Sequence, residues 1–281
     1  MRLRLISGVV YLTALLFAAS LPGPFWTPLA AGHFPYPAVH PVSAPGGDSA
    51  IAALESPSKS APTRFRAGEV LSYSVAWSGF KSAATAELSI PETRQLGDWR
   101  VWHFRARLDT ISPVRTLFAI DDQFDSYADT ATFVCRQFEM YLDELGRKEA
   151  EILHPVPFGA PIQGSGPFVS VLPETRDALS ALYNLRSVDW QNTAETRMPV
   201  YDGHDLYDMV VRREAANEKV PVAAGEFTTT HLSIRLNDRQ QEVPQTDFEL
   251  WIASDRSRLP VLMTANLPFG SLRAELMQVT E

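Results

Sequence analysis

Gly225-Glu-Phe-Thr-Thr-Thr-His-Leu-Ser-Ile-Arg-Leu236, Phe248-Glu-Leu-Trp-Ile-Ala-Ser-Asp255, Arg258-Leu-Pro-Val261 and Pro268-Phe-Gly-Ser-Leu-Arg-Ala-Glu-Leu276 form the stretch that decides the fold. Short runs of β-branched and aromatic residues bounded by Gly, Pro, Asn and Asp read as strands. They place strands over 226–236, 247–253, 259–267 and 271–279 and make this end of the chain a scaffold, not a reactive centre.

Upstream, the same period of two recurs. In Glu69-Val-Leu-Ser-Tyr-Ser-Val-Ala-Trp77, the residues Leu71, Tyr73, Val75 and Trp77 fall on one face, with Ser72, Ser74 and Ala76 on the other. Ser78-Gly79 is a turn signal, and the run 80–90 completes an antiparallel hairpin. In 99–108, Trp102, Phe104, Ala106 and Leu108 alternate with Val101, His103, Arg105 and Arg107. Further strands follow over 121–128, 133–142, 147–153, 197–201 and 206–213. Between them, the Pro- and Gly-rich segment 154–173 reads as irregular.

One helix stands out, Thr175-Arg-Asp-Ala-Leu-Ser-Ala-Leu-Tyr-Asn-Leu-Arg186, with Thr175 as N-cap, Asp177 in the first turn and an apolar stripe of Ala178, Leu179, Leu182 and Leu185. Many strands around one helix imply a mainly β protein, with a large curved antiparallel sheet or open barrel and the helix packed on or inside it.

The N-terminus reads as an address. Arg2 and Arg4 precede an apolar run from Leu5 to Ala19, ended by Pro22 and Pro24. Residues 1–20 are therefore a cleaved secretory signal or, alternatively, an inner-membrane tether over residues 5–21. The expected location is the periplasm. Residues 21–63, rich in Pro, Ala and Ser, read as a disordered linker that carries His33 and His40. Residues 64–281 form one β-rich domain; about 215 residues suffice for a single core.

Composition narrows the chemistry. The chain of 281 residues is 45% apolar and 21% charged, as expected of a globular protein. A formal net charge of −8 argues against a nucleic-acid partner, because phosphate recognition needs a basic surface. The single cysteine, Cys135, forms no internal disulfide and reads as a small buried apolar residue. No Gly-x-Ser-x-Gly elbow, phosphate-cradling glycine loop, His-Glu-x-x-His or paired-cysteine cluster occurs, and His103, His154 and His231 are scattered. Asp202-Gly-His-Asp-Leu-Tyr-Asp208 reads as turn chemistry rather than a metal site. Asp121, Asp125 and Asp129 share a strand face, and Arg105, Arg107 and Arg115 are their candidate partners. The expectation is a protein without catalytic residues, metal or cofactor.

Gly68-Glu-Val-Leu-Ser-Tyr-Ser-Val-Ala-Trp77, Asp177-Ala-Leu-Ser-Ala-Leu-Tyr-Asn-Leu-Arg186 and the C-terminal blocks together resemble the bacterial family called domain of unknown function 3108, over about residues 66–281. The resemblance implies an exported envelope protein without an assigned activity and supplies no catalytic residues. More distantly, the layout is similar to the open, helix-plugged half-barrels of periplasmic lipoprotein carriers, which shelter acyl chains on a concave surface. By that analogy the candidate ligand-binding residues are Tyr73, Trp77, Trp102, Phe104, Trp251 and Met263, and the partner is a lipid, a lipoprotein or another envelope protein. A core simply filled by these side chains is the alternative.

Overall fold

The computed structural model describes residues 65–160, 166–238, 241–242, 247–267 and 270–280. The expected signal or tether and the linker with His33 and His40 lie outside the described residues. No helix among the described residues is long and apolar enough to cross a membrane.

The elements in chain order are β1 (Val70–Trp77), β2 (Phe80–Leu96), β3 (Trp99–Thr110), α1 (Val114–Leu117), β4 (Asp121–Asp129), β5 (Cys135–Glu144), β6 (Arg147–Pro157), β7 (Phe168–Val171), α2 (Ala178–Ser187), β8 (Glu195–Tyr201), β9 (Leu206–Val222), β10 (Gly225–Asp238), β11 (Gln241–Glu242), β12 (Asp247–Ala253), β13 (Pro260–Leu267) and β14 (Gly270–Thr280). They build one fourteen-stranded sheet in the order β7-β6-β5-β4-β3-β2-β1-β14-β13-β12-β10-β9-β8, with β11 beside β10. The C-terminal strand thus pairs with the first, Tyr73 opposite Leu276 and Trp77 opposite Leu272. The protein is mainly β, as the alternation predicts.

The sheet curls because most of its inner face is apolar. Leu71, Tyr73 and Val75 of β1, Phe104 and Leu108 of β3, Phe124 of β4, Phe138 and Met140 of β5, Leu232 and Leu236 of β10, and Leu250 and Ile252 of β12 are all buried. A flat sheet would leave that face in water; curling it around α2 removes it. The helix has seven buried residues, among them Leu179, Leu182, Tyr183 and Leu185.

The two ends of the sheet meet through the lead-in to the helix. The amide of Cys135 donates to Thr175 O, that of Arg176 to Pro199 O and that of Tyr201 to Arg176 O, so residues 175–176 bridge β5 and β8. The barrel is nearly closed there.

Three details differ from expectation. The N-cap is Asp177, whose carboxylate accepts from the amides of Leu179 and Ser180 at 2.9 and 3.0 Å. Thr175 instead donates to Leu172 O. The segment 154–173 contains β7, which pairs in parallel with the far end of β6. Parallel pairing across a long connection leaves no local turn signal. Strand β2 continues through Pro91, which sits at a bulge between Ser89 and Glu92, where a proline is tolerated.

Candidate functional site

An apolar cavity lies between α2 and the C-terminal half of the sheet. Ala178, Ala181, Leu182 and Leu185 of the helix form its floor, and Val200, Met209, Ile234, Phe248, Leu250 and Met263 its walls, with Glu249 beside them. Its empty volume is about 510 Å³, part of it open to solvent, and the centres of water-sized molecules have about 40 Å³ of room. Small alanines on the helix face create the space, since a larger residue at 178 or 181 would close it. With so little polar lining, water has few partners there, and hydrocarbon is the favoured occupant.

Of the six residues expected to line a ligand surface, Met263 borders this cavity. Phe104 lies in a separate aromatic cluster, stacked on Tyr183 with centroids 3.9 Å apart, and the buried Tyr73 hydroxyl donates to Pro260 O at 2.8 Å. Trp102 stacks on Phe104, and Trp77 meets Phe118 edge-on. The indole N–H groups of Trp77 and Trp102 are buried without an acceptor among the described residues. Trp251 stacks on His231 at 4.2 Å on the outer face, because its neighbours Leu250 and Ile252 take the inner one.

Met209, Ile234 and Phe248 also border the cavity without having been singled out by sequence. Their alternation marks them as inward-facing, but only the fold says which inward residues meet the helix tightly and which stand off.

Polar groups on the outer face pair with one another. Asp125, 1% exposed, accepts from His103 Nε2 at 2.5 Å, Arg105 Nε at 2.7 Å and Gln123 Nε2 at 2.6 Å. Burial works against its charge, yet these donors hold its carboxyl below the usual carboxylate range. Arg115 forks onto Asp121 at 2.6 and 2.7 Å, and Arg136 stands 3.8 Å from Asp129. His231 Nε2 lies 2.6 Å from Glu249, whose carboxyl burial pushes up.

Two histidine–carboxylate pairs therefore exist, but a hydrolytic site also needs a nucleophile on the imidazole. Among the described residues no serine, threonine or cysteine hydrogen-bonds either ring. Cys135 is 2% exposed, and burial together with the nearby Asp177 carboxylate raises its thiol well above the ordinary value, so it stays protonated. No group of three or more histidine, cysteine or carboxylate side chains placed to hold a metal occurs among the described residues. In the 202–208 turn, Asp202 Oδ1 accepts from the amides of His204 and Asp205 at 2.8 and 2.7 Å.

Similar solved structures include a β-barrel-like protein of domain of unknown function DUF1849 from Brucella abortus, 11% identical, with a TM-score of 0.47, covering 76% of this chain and 98% of that one. A protein with a YmcC-like fold from Bacteroides fragilis NCTC 9343, inferred to be exported, is 8% identical with a TM-score of 0.35 over 77% of this chain and 97% of that one. An inferred lipoprotein from Parabacteroides distasonis ATCC 8503 is 10% identical with a TM-score of 0.37 over 78% and 98%. No curated protein matches the sequence. Residues 72–277 match the family model described as protein of unknown function DUF3108, and the chain belongs to that family.

Proposed function

We propose that this is a non-catalytic protein of the cell envelope, exported to the periplasm by its N-terminal segment, which holds an apolar or amphipathic ligand such as a lipid or a lipoprotein acyl chain. The observation that carries the reading is the apolar cavity between α2 and strands β8 to β13. Two flexible methionines, Met209 and Met263, stand in its wall, and unbranched thioether side chains shift at low cost to admit chains of different shape. A hydrocarbon chain enters as those side chains swing aside. The site's chemistry is burial alone: removing hydrocarbon from water supplies about 0.8 kcal/mol per methylene.

Native mass spectrometry of the protein purified from its own envelope tests this. A co-purified ligand of lipid mass is the expected result, and a clean apo mass after gentle extraction would overturn it. A structural or interaction role is the second reading, favoured by the closed packing of Phe65, Phe104 and Tyr183. That role predicts cross-links to one defined envelope partner and no bound lipid.

A further inference from the structure

Successive antiparallel strands put alternate turns at one end of the barrel. The turn at 78–79, the connection 111–120 that carries α1 and the turn at 145–146 therefore share an end. The start of α2 and the strand ends bearing Val200 and Phe248 of the cavity wall lie at that end too. The opposite end is closed by Arg186 on Glu69 and Arg258 O.

Each of the three turns holds a large apolar side chain out in water: Phe80 is 42% exposed, Leu117 67% and Leu145 48%. They belong to one surface. Phe80 is the cross-strand partner of Trp77, and Trp77 meets Phe118, the neighbour of Leu117, with centroids 5.7 Å apart. The amide of Leu145 donates to Ala119 O at 2.7 Å, which brings the third turn against the second. Apolar residues scattered singly over a surface need no explanation, but a continuous group does.

Leu145 stands out within it. Leu145 and Gly146 have φ of +53° and +82°, the two positive values of a type I′ hairpin turn, where Asn-Gly is preferred. A leucine at this position suits neither the turn nor the solvent around it, so its place is explained by something that covers it.

Area and charge indicate what that is. Half-exposed side chains of this size present about 300 Å² between them, far below the ~800 Å² per partner of a stable protein interface. A fluid acyl layer sets no such threshold, because it closes around separate tips. The cations beside the patch are matched: Arg115 forks onto Asp121, and Lys148 Nζ lies 3.1 Å from Asp143. This end of the barrel thus offers apolar attraction without the surplus of positive charge that draws a protein to anionic lipid.

We propose that this end of the barrel docks on a lipid bilayer surface, with Phe80, Leu117 and Leu145 inserted among the acyl chains. Docking sets the cavity's end of the barrel against a source of hydrocarbon, yet it rests on the patch alone and holds whether or not the cavity is filled.

The test attaches a nitrobenzoxadiazole dye to the full chain through Leu117→Cys or, at the opposite end, through Asp98→Cys in the exposed turn between β2 and β3; the native Cys135 is buried out of its reach. With vesicles of phosphatidylethanolamine and phosphatidylcholine, the dye at 117 should brighten severalfold and be quenched by nitroxide-labelled acyl chains, while the dye at 98 changes little. Adding Phe80→Ser and Leu145→Asn should weaken partitioning of the 117-labelled protein about tenfold or more. Both side chains are exposed and asparagine suits the turn, so this variant should unfold at no lower urea concentration than its parent, and lost docking is then not lost fold. Adding phosphatidylglycerol should leave partitioning unchanged. Equal quenching at 117 and 98, none at either, partitioning untouched by the double substitution, or a requirement for phosphatidylglycerol would overturn the assignment. A response at 117 without vesicles that grows with protein concentration would overturn it in favour of a second copy of the chain. Dodecanol, a single chain offered in solution, reports on the cavity separately, and its binding neither follows from vesicle docking nor falls with it.

Discussion

Arg186, in the last turn of α2, donates from Nη1 and Nη2 to the two carboxylate oxygens of Glu69 at 2.6 and 2.9 Å, across 117 residues of sequence. Its Nε donates to Arg258 O at 3.0 Å, and its side chain is 0% exposed. One fork therefore ties the helix to the first strand and to the turn between β12 and β13. It also places a cation at the negative end of the helix dipole.

Breaking this pair should be costly, because the surviving partner keeps its charge in a buried place. Glu69→Gln or Arg186→Met alone should lower stability by about 3–5 kcal/mol. The combined Glu69→Leu, Arg186→Met variant should recover much of that loss. Urea unfolding of the three variants checks it; a double variant as damaged as the sum of the singles would show that the two side chains do not stabilise one another.

The helix start offers a second measurement. Asp177 caps two amides and also accepts from Ser126 Oγ at 2.6 Å, joining the helix to β4. Asp177→Ala should cost about 1–2 kcal/mol through the cap and more through the hydroxyl left unpaired. Thr175→Val should cost less than Asp177→Ala, whereas the sequence alone assigns Thr175 the capping role.

Stability should depend on pH through two buried acids. Burial pushes the carboxyls of Asp122 and Asp202 up to about 7, far above the ordinary carboxylate value. A raised folded-state pKa means that the folded protein holds protons that the unfolded chain has released. The protein should therefore lose stability as pH rises from about 4 through 7 and level off above that. Each group accounts for at most about 4 kcal/mol. Asp122→Asn should flatten part of this slope and raise Tm at pH 8 more than at pH 5; an equal effect at both would show that Asp122 ionises normally.

Much of the fold is legible in the sequence because alternation fixes faces. Leu71, Tyr73 and Val75 were separable from Ser72 and Ser74 before any coordinates, and all three are buried. Alternation says nothing about what an inner face meets, however. Phe104 points inward into a closed aromatic cluster, Tyr73 into a hydrogen bond with Pro260 O and Met263 into the cavity, and the same pattern describes all three. The Glu69–Arg186 fork and the approach of Gly203 to Met140 join residues far apart in the chain, and neither has a local signature. Strand β7 hid among prolines because its partner is parallel and its hydrogen bonds are few.

The two halves of the barrel interior should separate experimentally. Phe104→Ala, which removes a ring stacked on Tyr183, should cost about 3–5 kcal/mol and leave chain affinity in the surviving folded fraction unchanged. Ala181→Leu should instead fill the cavity floor, leave the aromatic cluster intact and weaken dodecanol binding by about tenfold or more. Equal loss of binding in both variants would mean that the cavity is not the place where the chain sits.

Methionine methyl NMR during a dodecanol titration interrogates the cavity most directly. Met209 and Met263 stand in its wall, Met198 is the buried cross-strand partner of Met209, and Met277 is exposed on the last strand. Saturable shifts at the Met209 and Met263 methyls with Met277 unmoved are predicted. Unchanged methyl signals at both wall positions, at concentrations where the alcohol remains monomeric, would contradict a chain-binding cavity.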